Sequence, residues 1–219
     1  MKRDMKKFGK KPVKPVKTKV RQKPVSDSPL GQSPDDWLHY NELSLGIVRM
    51  ASDISDFETE NWLREIDFLG RKLKKGDTLQ VLICSAGGGA YNSFALYDAL
   101  RKVSGRGIRV VCCAQGFAAS AAAMIVLQAG DKRIASPNTR FILHEIARDA
   151  IYERLTKSSM EDEAREMKIL QDIVLDILES RTGKSRKMLS GLVERKETYL
   201  SAVEALEWHL IDEIDGVKA

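Results

Sequence analysis

Aromatic residues make up only 6% of the 219 residues, and the chain has three cysteines, three histidines and no long uninterrupted apolar run. A membrane helix needs roughly 20 mostly apolar residues in a row, so no membrane partner is expected. Cys84, Cys112 and Cys113 sit inside apolar segments without C-x-x-C spacing. They read as small core side chains in a reducing compartment, not as a disulfide framework. His39, His144 and His209 are scattered and form no H-x-x-x-H pair, so no metal and no cofactor is expected. Proline is nearly absent from the body of the chain, since five of the six precede residue 35.

Charge is also unevenly placed. Met1 to Val25 carry eleven Lys or Arg against the single Asp4, a net +10, so with +5 overall the remainder is about five charges negative. Such a segment has too little apolar surface to offset the entropy of ordering. Residues 1–34 are therefore expected as a disordered basic arm and 35–219 as one folded domain, a size with ample core. With Phe8 its only aromatic, the arm offers charge without stacking. It reads as a solvated tail, or as a contact for an acidic partner or nucleic acid. No apolar h-region marks a secretory signal, so a cytoplasmic protein is expected.

In the body, strand and helix patterns alternate. Leu43 to Met50 reads as a first strand, and Glu60 to Leu73 as an amphipathic helix burying Trp62, Ile66 and Leu69. Thr78 to Cys84 is a second strand, followed by a glycine turn and a helix over Tyr91 to Val103. Ile108 to Ala114 is a third strand, leading to a small-residue helix over Ala121 to Gln128 and short strands at Arg133 to Ala135 and Arg140 to Leu143. This recurrence predicts an α/β fold with a largely parallel sheet covered by helices. Ser158 with Glu161 makes a capping box for a long helix to Thr182, whose stripe of Met167, Leu170, Ile173, Val174 and Ile177 packs on its own domain or on another subunit. A helix around Lys187 to Glu194 follows, then a second capping box, Ser201 with Glu204, opening Ala202 to Trp208, and a terminal strand over Leu210 to Ile214.

Two segments carry candidate chemistry. Ser120 closes the small-residue stretch Gly116-Phe117-Ala118-Ala119, which lets the backbone turn sharply and expose a hydroxyl, and His144 follows the apolar run Phe141-Ile142-Leu143. A serine needs a base within hydrogen-bond reach and an acid to orient that base before it attacks an amide. Ser85-Ala86-Gly87-Gly88-Gly89, directly after an apolar strand, is a candidate second source of oxyanion-binding amides.

Together these segments resemble the ClpP family of self-compartmentalised serine proteases, in one order from about Leu43 to Ile214. Cys84-Ser85-Ala86-Gly87-Gly88 is similar to the family's Asn-Ser-Pro-Gly-Gly turn, and Gly116 to Ser120 to its Gly-x-Ala-Ala-Ser nucleophile segment. Pro137-Asn138-Thr139-Arg140 through His144 resembles its Pro-Asn-Ser-Arg stretch ending in the catalytic histidine, and Tyr199-Leu200-Ser201-Ala202-Val203-Glu204-Ala205 its Phe-Leu-Ser-Ala-x-Glu-Ala. The resemblance implies a ClpP/crotonase-like fold of repeated strand-strand-helix units with a protruding handle helix. It implies Ser120 as nucleophile, His144 as general base, and the amides of Gly88 and Ala121 as the oxyanion hole. It further implies a polypeptide substrate, a homo-oligomeric ring and an AAA+ unfoldase partner.

The chain departs from the family pattern at identifiable places. The acid position holds Glu197 where the family has Asp, with Glu194 the nearest substitute; Arg195-Lys196 replaces a Glu-Arg pair used between rings. The segment Glu145-Ile146-Ala147-Arg148-Asp149-Ala150 lacks the family's paired glycines. These departures suit a specialised member, such as a phage capsid-maturation protease, or a catalytically weak scaffold. Two other enzymatic readings fit less well: crotonase-type acyl-CoA chemistry needs no serine nucleophile, and a Ser-Lys peptidase leaves His144 idle.

Overall fold

A computed structural model of the chain describes residues 33–147, 156–194 and 196–216. The expected basic arm lies outside them apart from Ser33 and Pro34, as do Arg148, Asp149, Ala150 and Arg195. Ser33 and Pro34 open helix α1 (Pro34–Ser44), where the Ser33 hydroxyl and the Asp36 carboxylate cap each other's backbone amides. This cap corrects the first strand. Leu43 and Ser44 end a helix, Gly46 turns the chain at φ +79°, and strand β1 is only Ile47–Met50.

Helix α2 (Asp56–Lys72) buries Trp62, Ile66 and Leu69 as the periodicity predicts, and the Trp62 indole donates to the Arg49 carbonyl at 3.0 Å. Strand β2 (Thr78–Ser85) leads through the glycine turn to α3 (Ala90–Gly105). Strand β3 (Arg109–Ala119) runs on through the segment expected to be the serine turn. After it come a π-turn (Ala122–Val126) and a 3-10 turn (Leu127–Ala129), wound more irregularly than the regular helix expected there, with Met124 and Ile125 wholly in the core. Strands β4 (Lys132–Ala135) and β5 (Arg140–Leu143) follow.

Helix α4 (Lys157–Thr182) is capped by Thr156 and Ser159, not by Ser158 and Glu161. Thr156 is the last extended residue, so its hydroxyl, not that of Ser158, faces the free amides of the first turn. Leu170, Val174, Leu175 and Leu178 pack on the chain's own domain, while Ile169 and Ile173 stay exposed. Helix α5 (Arg186–Val193) leads to strand β6 (Thr198–Ser201), which periodicity did not show, and to α6 (Ala202–Glu207) with its expected Ser201/Glu204 capping box. The terminal strand β7 is only Glu213–Ile214, because the chain turns at His209 (φ +59°) and Asp212 is engaged elsewhere.

The strands form one sheet in the order β1-β2-β3-β4-β7, parallel throughout, confirming the α/β class. Its second arm is built on the far half of β3. Between the pairs Ile83–Ala114 and Ser85–Ala118 the register shifts, leaving β3 two residues longer than β2, and Gly116 takes φ +70° there. The bulge redirects β3, so that Phe117–Ala119 pairs in parallel with β5, and β5 pairs antiparallel with β6.

Arg133 on β4 is 4% exposed and clasps three elements. It donates to Asp212 Oδ1 at 2.5 Å, to Gln128 Oε1 at 2.7 Å and to the Arg181 carbonyl at 3.2 Å, joining β4 to the turn before β7, the 3-10 turn and the end of α4. Burial alone would raise the Asp212 pKa, but hydrogen bonds from the Arg133 side chain and amide hold it below the usual carboxylate value. A depressed native pKa contributes stability that is present at neutral pH and lost as pH falls through that value. Asp212→Ala leaves a buried guanidinium without its anion and is expected to cost about 3 kcal/mol in urea unfolding at neutral pH, with a smaller difference from wild type in acid.

Candidate active site

Three neighbouring strands end together. In the β3–β5 ladder Ala119 is level with Ile142, and the Ser120 amide donates to the Ile142 carbonyl at 2.7 Å, so Ser120 leaves the sheet beside the end of β5, where His144 follows. In the antiparallel β5–β6 ladder Leu143 faces Thr198 as its last pair, and His144 and Glu197 are the residues next to that pair, just outside the two strands. Strand neighbours lie about 4.8 Å apart. The topology thus brings Ser120, His144 and Glu197 to one edge of the sheet, from segments far apart in sequence.

Ser120 has φ +51°, in the left-handed region that a residue with a side chain rarely occupies. Its carbonyl accepts from Met124 at 2.9 Å, which starts the π-turn immediately behind it. Ala121 is consequently a first-turn residue, and such amides have no acceptor earlier in the helix.

The glycine turn is pressed against this junction. A Cβ at Gly87 (φ +93°) would lie 2.7 Å from the Ala119 carbonyl, 2.8 Å from Ser120 Cβ and 3.0 Å from the Ala121 nitrogen. A Cβ at Gly88 (φ +150°) would lie 2.4 Å from the Ile54 carbonyl oxygen. Both positions therefore require glycine. The turn is held from the other side: Ile54 donates to the Gly87 carbonyl at 2.7 Å and accepts from Gly89 at 3.1 Å, and the Gly88 amide takes part in neither bond. Inside the turn, the Gly87 amide donates to the Ser85 hydroxyl at 3.1 Å.

His144 is half-buried, and its Nδ1 is 2.6 Å from the Glu145 carbonyl, which makes Nδ1 the protonated nitrogen and leaves Nε2 as an acceptor. Glu197 is exposed and accepts from the Tyr199 hydroxyl at 2.6 Å. Among the described residues no hydrogen bond joins Ser120 to His144 or His144 to Glu197. Glu194 closes α5 and is exposed. Sequence reading placed Gly87 in the glycine turn and Tyr199 in a family-like motif without giving either a role of its own, and it gave none to Ile54 or the Glu145 carbonyl. The signal at Tyr199 was its i,i+2 spacing from Glu197, which becomes meaningful only once β6 is known to be a strand.

No group of three or more His, Cys, Asp or Glu among the described residues is arranged to hold a metal, and no helix among them is long and apolar enough to cross a membrane. All three cysteines are free thiols, and burial raises the pKa of Cys112 and of Cys113.

Comparison with known proteins decides the family. The Clp protease family model matches residues 37–217. The chain belongs to the Clp protease family. Among the relatives of this Clp protease, the chloroplastic ATP-dependent Clp protease proteolytic subunit 4 of Arabidopsis thaliana is 33% identical over 78% of the chain and 56% of its own length. An ATP-dependent Clp protease proteolytic subunit of Dehalococcoides mccartyi is 31% identical over 77% of the chain and 80% of its own length. Subunit 2 of Corynebacterium jeikeium is 29% identical over 80% of the chain and 81% of its own length. Membership makes the chain a protease by family, and the matched region leaves the basic arm outside it.

For this Clp protease, Gly87→Ala is expected to abolish reaction of Ser120 with a fluorophosphonate, because the added methyl has to displace the backbone at Ala119 and Ala121. Mass spectrometry of the folded variant, with folding checked by circular dichroism, reads the outcome.

Proposed function

We propose that the chain is a serine endopeptidase that cleaves unfolded or delivered polypeptides through an acyl-enzyme on Ser120. The observation that carries the reading is the convergence of β3, β5 and β6 on one edge, with Ser120, His144 and Glu197 at the three strand ends and the glycine turn against Ser120. In the proposed mechanism Ser120 Oγ attacks the scissile carbonyl while His144 Nε2 takes its proton. The oxyanion forms toward the amides of Gly88 and Ala121, where one donor is worth on the order of 3 kcal/mol in the transition state. The imidazolium returns its proton to the leaving amine, and water releases the acyl group by the same steps in reverse. Glu197 stabilises the imidazolium, its carboxylate replacing the neutral Glu145 carbonyl as the partner of Nδ1.

The folded protease unit is proposed as the expected residues 35–219 extended back to Ser33, since Ser33 and Pro34 cap and open α1, with the basic arm before them appended to it, and its working form as a homo-oligomeric ring. Ile169 and Ile173 on α4 support assembly, since they are 52% and 39% exposed on a helix whose other face is packed. The relatives' description as ATP-dependent supports delivery of substrate by an ATP-driven unfoldase. A catalytically weak scaffold is the second reading, favoured by the local partners that His144 and Glu197 take.

Intact-protein mass after fluorophosphonate treatment separates the two. The protease reading expects one adduct on wild type, none on Ser120→Ala, and phosphonylation, in which Ser120 Oγ bonds phosphorus and fluoride leaves, slowed by at least about 100-fold in His144→Ala. Wild type that is folded and assembled yet unlabelled contradicts it.

A further inference from the structure

The proposed acid is a glutamate, and its extra methylene adds a torsion that an aspartate at the same backbone position does not have. An exposed carboxylate with that freedom spends much of its time away from the imidazole it must face. The structure contains a group that removes the freedom. Tyr199, in β6, lies two residues on from Glu197, and its hydroxyl donates to Glu197 Oε2 at 2.6 Å, leaving Oε1 for a second donor. The ladder sets Tyr199 level with Ile142 and ends at the pair Leu143–Thr198, and His144 and Glu197 directly adjoin that last pair.

We infer that Tyr199 is a positioning residue for catalysis, fixing the Glu197 carboxylate so that its free oxygen meets His144 Nδ1 as positive charge develops on the ring. The inference rests on the protease reading above and adds to it how a longer acid is made to serve. Tyr199 is 54% exposed, so its ring has no packing need that ties the hydroxyl to this carboxylate. The contact works on both partners: the hydrogen bond to Glu197, with the carboxylate's charge behind it, raises the phenol pKa. The phenol therefore remains a donor across the range in which a histidine base operates. Both departures from the family's acid motif, Glu for Asp and Tyr for Phe, meet in this one bond.

The test is a double-mutant cycle on the full chain, measuring the maximal rate and half-saturation of phosphonylation by a fluorophosphonate across pH. Tyr199→Phe removes one exposed oxygen, so the fold is retained, as near-ultraviolet circular dichroism verifies. It is expected to lower the maximal rate roughly 3- to 10-fold without changing half-saturation. The acid limb of the profile should also move to lower pH, because a poorly placed carboxylate stabilises the imidazolium less. In a Glu197→Gln background the same change should have no further effect, and in a Glu197→Asp background it should cost less than in wild type. A Tyr199→Phe protein with the wild-type rate and profile, or an equal loss in all three backgrounds, overturns the positioning role while leaving the protease reading intact. If Glu197→Gln alone is phosphonylated like wild type, the carboxylate is not the acid and the inference fails with that part of the reading.

Discussion

The backbone of Gly87 packs so closely against Ala119, Ser120 and Ala121 that there is no room for a single methyl group. That approach fixes the distance between the glycine turn and the serine, and hence between the two amides that flank it. It is held from both sides. Ile54 clasps the turn from the β1 side, and the bulge at Gly116 delivers the far half of β3 from the other. Ser120 accepts a left-handed conformation at this point, and the π-turn behind it begins at once. Strain of this kind persists only where surrounding structure over-determines it. Here the sheet, the glycine turn and the buried turn at Ala122–Val126 do so together.

The same bulge explains why one sheet carries two arms. Up to Ala114, β3 is an ordinary interior strand between β2 and β4; past Gly116 it pairs with β5. The division separates stability from chemistry. The first arm holds the buried Arg133 cluster, which ties β4 to α4 and to the end of the chain. The second arm leads to the three residues proposed for catalysis and is open to solvent at Glu197 and Tyr199. The proposed polypeptide substrate would enter at such an edge, with the rigid arm behind it.

Much of this was legible in the sequence, and the gaps have physical causes. The β2 and β3 strands are near-continuous apolar runs, as buried parallel strands should be, and α2 keeps its 3.6-residue period. The order of the four motifs placed Ser120, His144 and the glycine turn in one family pattern. What failed was boundary chemistry. Leu43 and Ser44 look strand-like, but the Ser33 and Asp36 cap had already committed them to α1. Ser158 looked like the cap of α4, but Thr156 has the extended backbone a cap requires. β6 is four residues with a mixed burial pattern, so periodicity could not find it, and the Glu197–Tyr199 pair went unread with it. The small residues before Ser120 signalled a sharp turn there, but its left-handed form is fixed by the packed glycine turn, which is distant in sequence.

In the proposed mechanism Ser120 attacks a carbonyl whose oxygen is received by the amides of Gly88 and Ala121. A crystal structure of the protein treated with a peptide boronic acid tests this most directly, because tetrahedral boron mimics the intermediate. The expected result is a bond from Ser120 Oγ to boron, one boron oxygen within hydrogen-bond distance of both amides, and His144 Nε2 facing the other. Boron bound elsewhere, or bound to Ser120 with its oxygen turned away from Gly88 and Ala121, would contradict it.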